Sequence, residues 1–146
     1  MAHSATRRGA VALASAVMKL LLLSWGAGAV PEFLARHVDR PTEHVRIGMI
    51  DDAARIHGEQ NFSIYERERL VEFGYRVRTV TLRALGSAAE FAGILDELDA
   101  IYVCGGETFV LLEALERHGL REVLIERVRA GLPYIGLSAG AVIVGP

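Results

Sequence analysis

Cysteine is nearly absent from this 146-residue chain. Cys104 is the single example, so no disulfide can form within the chain and no cysteine-based metal site is available. It lies in the apolar run Ile101-Tyr102-Val103-Cys104, where a buried, inert thiol is expected. There is no stripe of Lys or Arg: the formal net charge is -2 and both signs are interspersed. That argues against a nucleic-acid partner, because phosphate recognition needs a clustered basic face. No apolar run is long enough to span a bilayer, so no membrane partner is expected either. Internal repeats, linkers and low-complexity segments are missing too. What remains is an ordinary globular composition, 51% hydrophobic and 23% charged, at a one-domain length.

The amino terminus resembles a signal peptide at first sight. Arg7-Arg8 precedes Val11-Ala12-Leu13-Ala14 and Leu20–Leu23, and Gly26-Ala27-Gly28-Ala29 supplies small residues near a cleavage point. Lys19 interrupts the apolar region, however, and Met18-Lys19-Leu20-Leu21-Leu22-Leu23-Ser24 reads as a buried first strand starting at a second methionine. On this reading residues 1–17 are an extension and 18–146 form one domain. A cytoplasmic location is expected, the alternative being export with residues 1–29 as the signal.

Short apolar runs alternate with helical periodicity, the signature of βαβ units and a parallel sheet in an α/β fold. Strands are predicted at Leu20–Ser24, Val45–Ile50, Tyr75–Leu82, Ala100–Cys104 and Tyr134–Leu137. The third alternates polar and apolar residues and is expected nearer an edge. The fourth is continuously apolar, as a strand buried on both faces should be. Helices are predicted at Pro31–Val38, Phe62–Phe73, Ala88–Leu98, Phe109–Arg117 and Leu120–Ala130, the last two hinged at Gly119. In the second of these, Ile64, Leu70, Val71 and Phe73 recur at helical spacing, and Gly74 closes it.

Ligands of open α/β sheets collect at the carboxyl ends of the strands. Those ends carry Ser24, Asp51-Asp52, Gly105-Gly106-Glu107 and Ser138, predicted to form one rim. Gly136-Leu137-Ser138-Ala139-Gly140 fits a nucleophile elbow, a sharp strand-to-helix turn that exposes a serine hydroxyl. The small residues on either side let two backbones approach, and the following helix aims its first N–H groups at the same point. A glycine-rich packing turn is the competing reading, and on the motif alone the two are evenly matched. Gly105-Gly106 would allow close backbone approach and a second oxyanion donor, or a tight turn with Glu107 or Thr108 capping the next helix.

Together the segments 101–112 and 131–141 resemble the peptidase E (aspartyl dipeptidase) family. Met18-Lys19-Leu20-Leu21-Leu22 and Arg46-Ile47-Gly48-Met49-Ile50 resemble the family's first two strands. The resemblance implies a three-layer αβα sandwich on a mainly parallel sheet, flavodoxin-like and akin to class I glutamine amidotransferases, with serine as nucleophile. It implies cleavage of dipeptides bearing an N-terminal aspartate, a small peptide as partner, and no metal or cofactor. Ser138 matches the nucleophile. Gly106 and Ala139 match the oxyanion donors, with Gly105 as a neighbouring candidate. Glu107 stands where the family usually has Asn; a carboxylate there, if it faced substrate, would repel an acidic side chain.

The family's catalytic histidine and its orienting acid lie beyond the serine, and this sequence stops at Gly145-Pro146. A serine without its base loses about 10⁶-fold in rate. The chain alone is therefore expected to be nearly inactive, with strand 134–137 central in the sheet but its far side left uncovered and prone to aggregation. His57 is the only histidine expected near the rim, and a loop-packing role is favoured for it. His37, His44 and His118 are expected on solvated helix faces. The alternatives are a cyanophycinase-like or amidotransferase-like hydrolase, or a non-catalytic remnant of the fold.

Overall fold

A computed structural model of the chain describes residues 17–58 and 61–144. The proposed extension, apart from Val17, and the terminal Gly145-Pro146 lie outside the described residues. Five strands form one parallel sheet in the order β1-β5-β4-β2-β3. They are β1 (Leu20–Leu23), β2 (Arg46–Ile50), β3 (Arg76–Val80), β4 (Ala100–Val103) and β5 (Tyr134–Leu137). The helices are α1 (Val30–His37), α2 (Asp52–Arg55), α3 (Ser63–Glu72), α4 (Ala88–Asp96), α5 (Thr108–Glu116), α6 (Leu120–Arg129) and α7 (Ala139–Val142).

The central strands bury both faces because their side chains alternate between two cores. On one face Ile50, Ile101, Val103 and Tyr134 pack with Phe91 of α4, Leu111 of α5 and Leu124 of α6. On the other, Ile47, Met49, Tyr102, Ile135 and Leu137 pack with Leu34 of α1 and Leu70 of α3. The result is the expected three-layer αβα arrangement. Local signals explain the boundaries: Pro31 occupies the first turn of α1, where no N–H is needed. Gly74 ends α3 at φ 104°, its N–H donating to the Val71 carbonyl at 2.9 Å.

Two expectations change. Strand β5 is interior, as expected of a central strand, but its far side is not left uncovered: β1 pairs with it in register from Leu20↔Tyr134, opposite β4 at Ile101↔Tyr134. The edge on that side is β1, whose Leu20 and Leu22 are 39% and 48% accessible. On α3, Ile64 and Val71 face solvent, while Ser63 and Leu70 are buried. The short helix α2 and the 3₁₀ turn at Leu82–Ala84 were not legible in the pattern. As predicted, β3 lies at the other edge. No helix among the described residues is long and apolar enough to cross a membrane.

Candidate active site

Ser138 follows β5 directly and starts α7 with φ 53° and ψ −108°. Only His118 shares a positive φ among the described non-glycine residues. Such a conformation costs about 1–3 kcal/mol and persists only where neighbours over-determine it. Here they do. The Ser138 N–H donates to the Leu23 carbonyl of β1 at 2.7 Å, and the Ser138 carbonyl accepts from Ala141 and Val142 at 2.9 and 3.0 Å. The Tyr134 hydroxyl, buried under the elbow, donates to the Gly140 carbonyl at 2.6 Å. A side chain at Gly136 would overlap the Gly140 carbonyl, and one at Gly140 would overlap Val103. Both spacings of the motif are thus explained by backbone contact, and the Ser138 side chain is left exposed.

The turn after β4 stands opposite. A Cβ added to Gly105 would lie 3.1 Å from the Ser138 Cβ, so the two loops touch. Gly106 adopts φ 137°, and a Cβ there would overlap the Ala53 carbonyl. Helix α2 braces this loop from behind, since Ala53 also accepts the Glu107 N–H at 2.9 Å. The amides of Gly106 and Ala139 have no backbone hydrogen-bond partner among the described residues, whereas the Gly105 amide lies against the Glu66 carboxyl. Those of Gly106 and Ala139 are the pair matched to the oxyanion donors. The Ser138 amide, spent on Leu23, is not free for that task.

A cavity of about 610 Å³ opens over this junction. Ser24, Gly105, Gly106 and Ser138 line it, so three of the four predicted rim segments do meet. The fourth does not join them. Asp51 is buried and accepts from Thr81 Oγ1 at 2.9 Å and from Arg55 at 3.0 Å. Asp52 accepts the Leu82 and Arg83 N–H groups at 2.8 and 3.2 Å. Both carboxylates fasten the end of β2 to the turn after β3, and burial pushes the Asp52 carboxyl above its ordinary value against those amide bonds. Glu107 is exposed at the start of α5, makes no capping bond and is not among the cavity-lining residues.

The sequence reading missed the wall contributed by α3. Tyr65, Glu66 and Arg69 line the cavity, with Trp25, Phe62 and Tyr102. Tyr102 donates to Glu66 Oε1 at 3.0 Å, and Glu66 Oε2 is buried without a partner. Burial pushes the Glu66 carboxyl up from its ordinary value; the Tyr102 hydroxyl, the Cys104 thiol and the Gly105 amide nearby oppose this. The signal was available. Glu66 falls four residues after Phe62 and four before buried Leu70, on the face turned to the sheet. Burial pushes the Cys104 thiol well up, as an inert thiol requires. His57 is exposed, its ring 5.9 Å from that of Phe62, and no histidine among the described residues lines the cavity. His44 and His118 are exposed, and His37 is half-buried against Phe33. No group of three or more potential metal ligands occurs among the described residues.

Comparison with known proteins adds to this geometry. The model of peptidase family S51 matches residues 20–146. A peptidase E from Streptomyces coelicolor is 46% identical over 67 residues, 46% of this chain and 28% of that protein. A peptidase E from Shewanella amazonensis is 35% identical over 104 residues, covering 71% of this chain and 43% of the relative. A crystal structure of a Listeria monocytogenes protein assigned to peptidase E superposes with a TM-score of 0.75 at 33% identity, over 89% of this chain and 63% of that one. The chain thus spans less than two thirds of the length of these relatives.

Proposed function

The chain belongs to peptidase family S51, and on that premise we propose that it carries the nucleophile half of a serine-type peptidase site for small peptides, chiefly dipeptides with an N-terminal aspartate. The observation that carries this reading is the strained, exposed Ser138, which lines one cavity with Gly106 and is followed directly by the unpaired Ala139 amide. Ser138 Oγ attacks the peptide carbonyl carbon. The carbonyl oxygen becomes an oxyanion held by the Gly106 and Ala139 N–H groups, and collapse expels the amine to leave an acyl-serine that water hydrolyses. Donors of this kind are worth about 10²–10³ in rate each.

Arg69 supports the acidic preference. It is the one cationic side chain lining the cavity among the described residues, and its salt-bridge partner, Glu72, lies 3.6 Å away on the exposed helix face. The position of Glu107 outside the lining takes away the repulsion it would otherwise bring. The attacking hydroxyl also needs a proton acceptor, and among the described residues no histidine lines the cavity. Turnover by this chain alone is therefore expected to be slow, and the informative step is acylation. An activated aspartyl ester such as the p-nitrophenyl ester should release one equivalent of p-nitrophenolate per chain, and Ser138→Ala should release none. Aspartyl dipeptides should slow that burst more than alanyl dipeptides do. A burst of equal size in Ser138→Ala would remove the proposal.

A further inference from the structure

The loop that carries Gly106 offers four successive backbone amides, and their partners differ. The Cys104 N–H donates to the Ile50 carbonyl of β2 at 2.9 Å, and the Glu107 N–H to the Ala53 carbonyl of α2 at 2.9 Å. The Gly106 N–H has no backbone partner among the described residues, as an oxyanion donor requires. The fourth, that of Gly105, turns to a side chain and lies against the carboxyl of Glu66 on α3. The same carboxyl accepts the Tyr102 hydroxyl through Oε1 at 3.0 Å and has the Cys104 thiol beside it. Oε2 is buried and meets no aligned donor, so the Gly105 amide holds to this carboxyl mainly through charge and dipole. We propose that Glu66 is a positioning residue, whose carboxylate fixes the Gly105 peptide so that the next amide, that of Gly106, stays aimed at the carbonyl attacked by Ser138.

This rests on the cavity being a peptidase site. The Gly106 N–H belongs to the peptide plane between Gly105 and Gly106, two residues with no Cβ to restrain φ and ψ. That plane keeps its direction only if the planes on either side of it are anchored. Ala53 anchors one through the Glu107 amide, and Glu66 anchors the other through the Gly105 amide. The loop is close enough for misdirection to be felt at the nucleophile, since a Cβ on Gly105 would lie 3.1 Å from that of Ser138. Glu66 also sets stability against activity. Burial opposes its anion, so a neutral side chain of the same shape would strengthen the fold while loosening the loop. The titratable or charged groups around Glu66 are the Tyr102 hydroxyl and Cys104 thiol from β4 and its end, both pushed up by burial and so neutral, and Arg69 from α3 itself. The cavity walls from the loop 24–27 and from β5 bring no charge.

The test compares the unaltered chain with Glu66→Gln, which keeps the shape but brings N–H donors in among donors. Acylation by the aspartyl p-nitrophenyl ester, followed as the p-nitrophenolate burst, should slow about tenfold or more in the variant. The ester concentration giving half the maximal rate should change less than about twofold, and the melting temperature at neutral pH should rise. A merely structural role would lower rate and melting temperature together. If the variant fails to fold by circular dichroism, nuclear magnetic resonance on the unaltered chain decides. The Gly105 amide proton should then move downfield in step with ionisation of the Glu66 carboxyl. Acylation unchanged or faster in Glu66→Gln, rate and stability falling together, or a Gly105 amide proton indifferent to that ionisation would each overturn the positioning role. With the burst of the unaltered chain intact, those outcomes keep the peptidase reading. No burst from the unaltered chain would remove the peptidase reading and the positioning role with it.

Discussion

The hydroxyl of Tyr134 donates to the carbonyl of Gly140 at 2.6 Å, joining the first residue of β5 to the turn that follows Ser138. Strand and elbow are therefore held at both ends, and the tyrosine ring fills the core beneath them. Tyr134→Phe keeps the ring but leaves the Gly140 carbonyl without this buried donor. The expected cost is about 1–3 kcal/mol in urea unfolding, with slower ester acylation because the bend at Ser138 loosens. Unchanged stability and acylation would show that the bond is idle.

Gly106 is the second position where backbone geometry decides the outcome. Its φ of 137° is in the region that side chains avoid, and a Cβ would overlap the Ala53 carbonyl. Gly106→Ala is expected to displace either this loop or α2, destabilising the fold by more than about 1 kcal/mol and lowering acylation by about 10²-fold if the amide turns away. Stability is read by denaturant titration and acylation by the p-nitrophenolate burst.

Asp52 is expected to matter for folding and not for chemistry. Asp52→Ala removes the acceptor for two amides, Leu82 and Arg83, at a cost of about 2–4 kcal/mol. Any residual folded protein should still be acylated at the normal rate, which thermal unfolding and the burst assay together would reveal.

Glu66 links pH to stability with a definite sign. Its carboxyl titrates higher in the folded chain than the ordinary 4.5, because burial opposes the anion. The folded state then binds the extra proton, so Glu66 contributes its stability in acid and loses it as pH rises through the raised value. Glu66→Gln should match the unaltered chain below about pH 4 and exceed it in melting temperature at neutral pH, as scanning calorimetry across that range would test.

Much of this arrangement was legible in the residues. Continuous apolar runs such as Ala100–Cys104 announce strands buried on both faces, and Gly136 and Gly140 announce a close strand–helix contact because nothing larger fits. Non-local pairing was not legible: no feature of Leu20–Leu23 says that it lies beside Tyr134–Leu137, so the far side of that central strand was expected to be uncovered. Strand-end position alone also misled at Asp51-Asp52, whose carboxylates turn back to Thr81, Leu82 and Arg83. On α3 the apolar period pointed to Ile64 and Val71, whereas the buried row runs from Ser63 through Glu66 to Leu70. A carboxylate interrupting an apolar row disguises that row, and here the interruption lines the cavity.

The central claim is that Ser138 is a nucleophile presented by strain to backbone donors. Site mapping by mass spectrometry after treatment with a fluorophosphonate tests it most directly. One adduct per chain is expected, on the peptide containing Ser138, lost when the protein is unfolded first and when Gly106 is replaced. No adduct on the folded chain, or adducts spread over other serines at comparable rates, would contradict it.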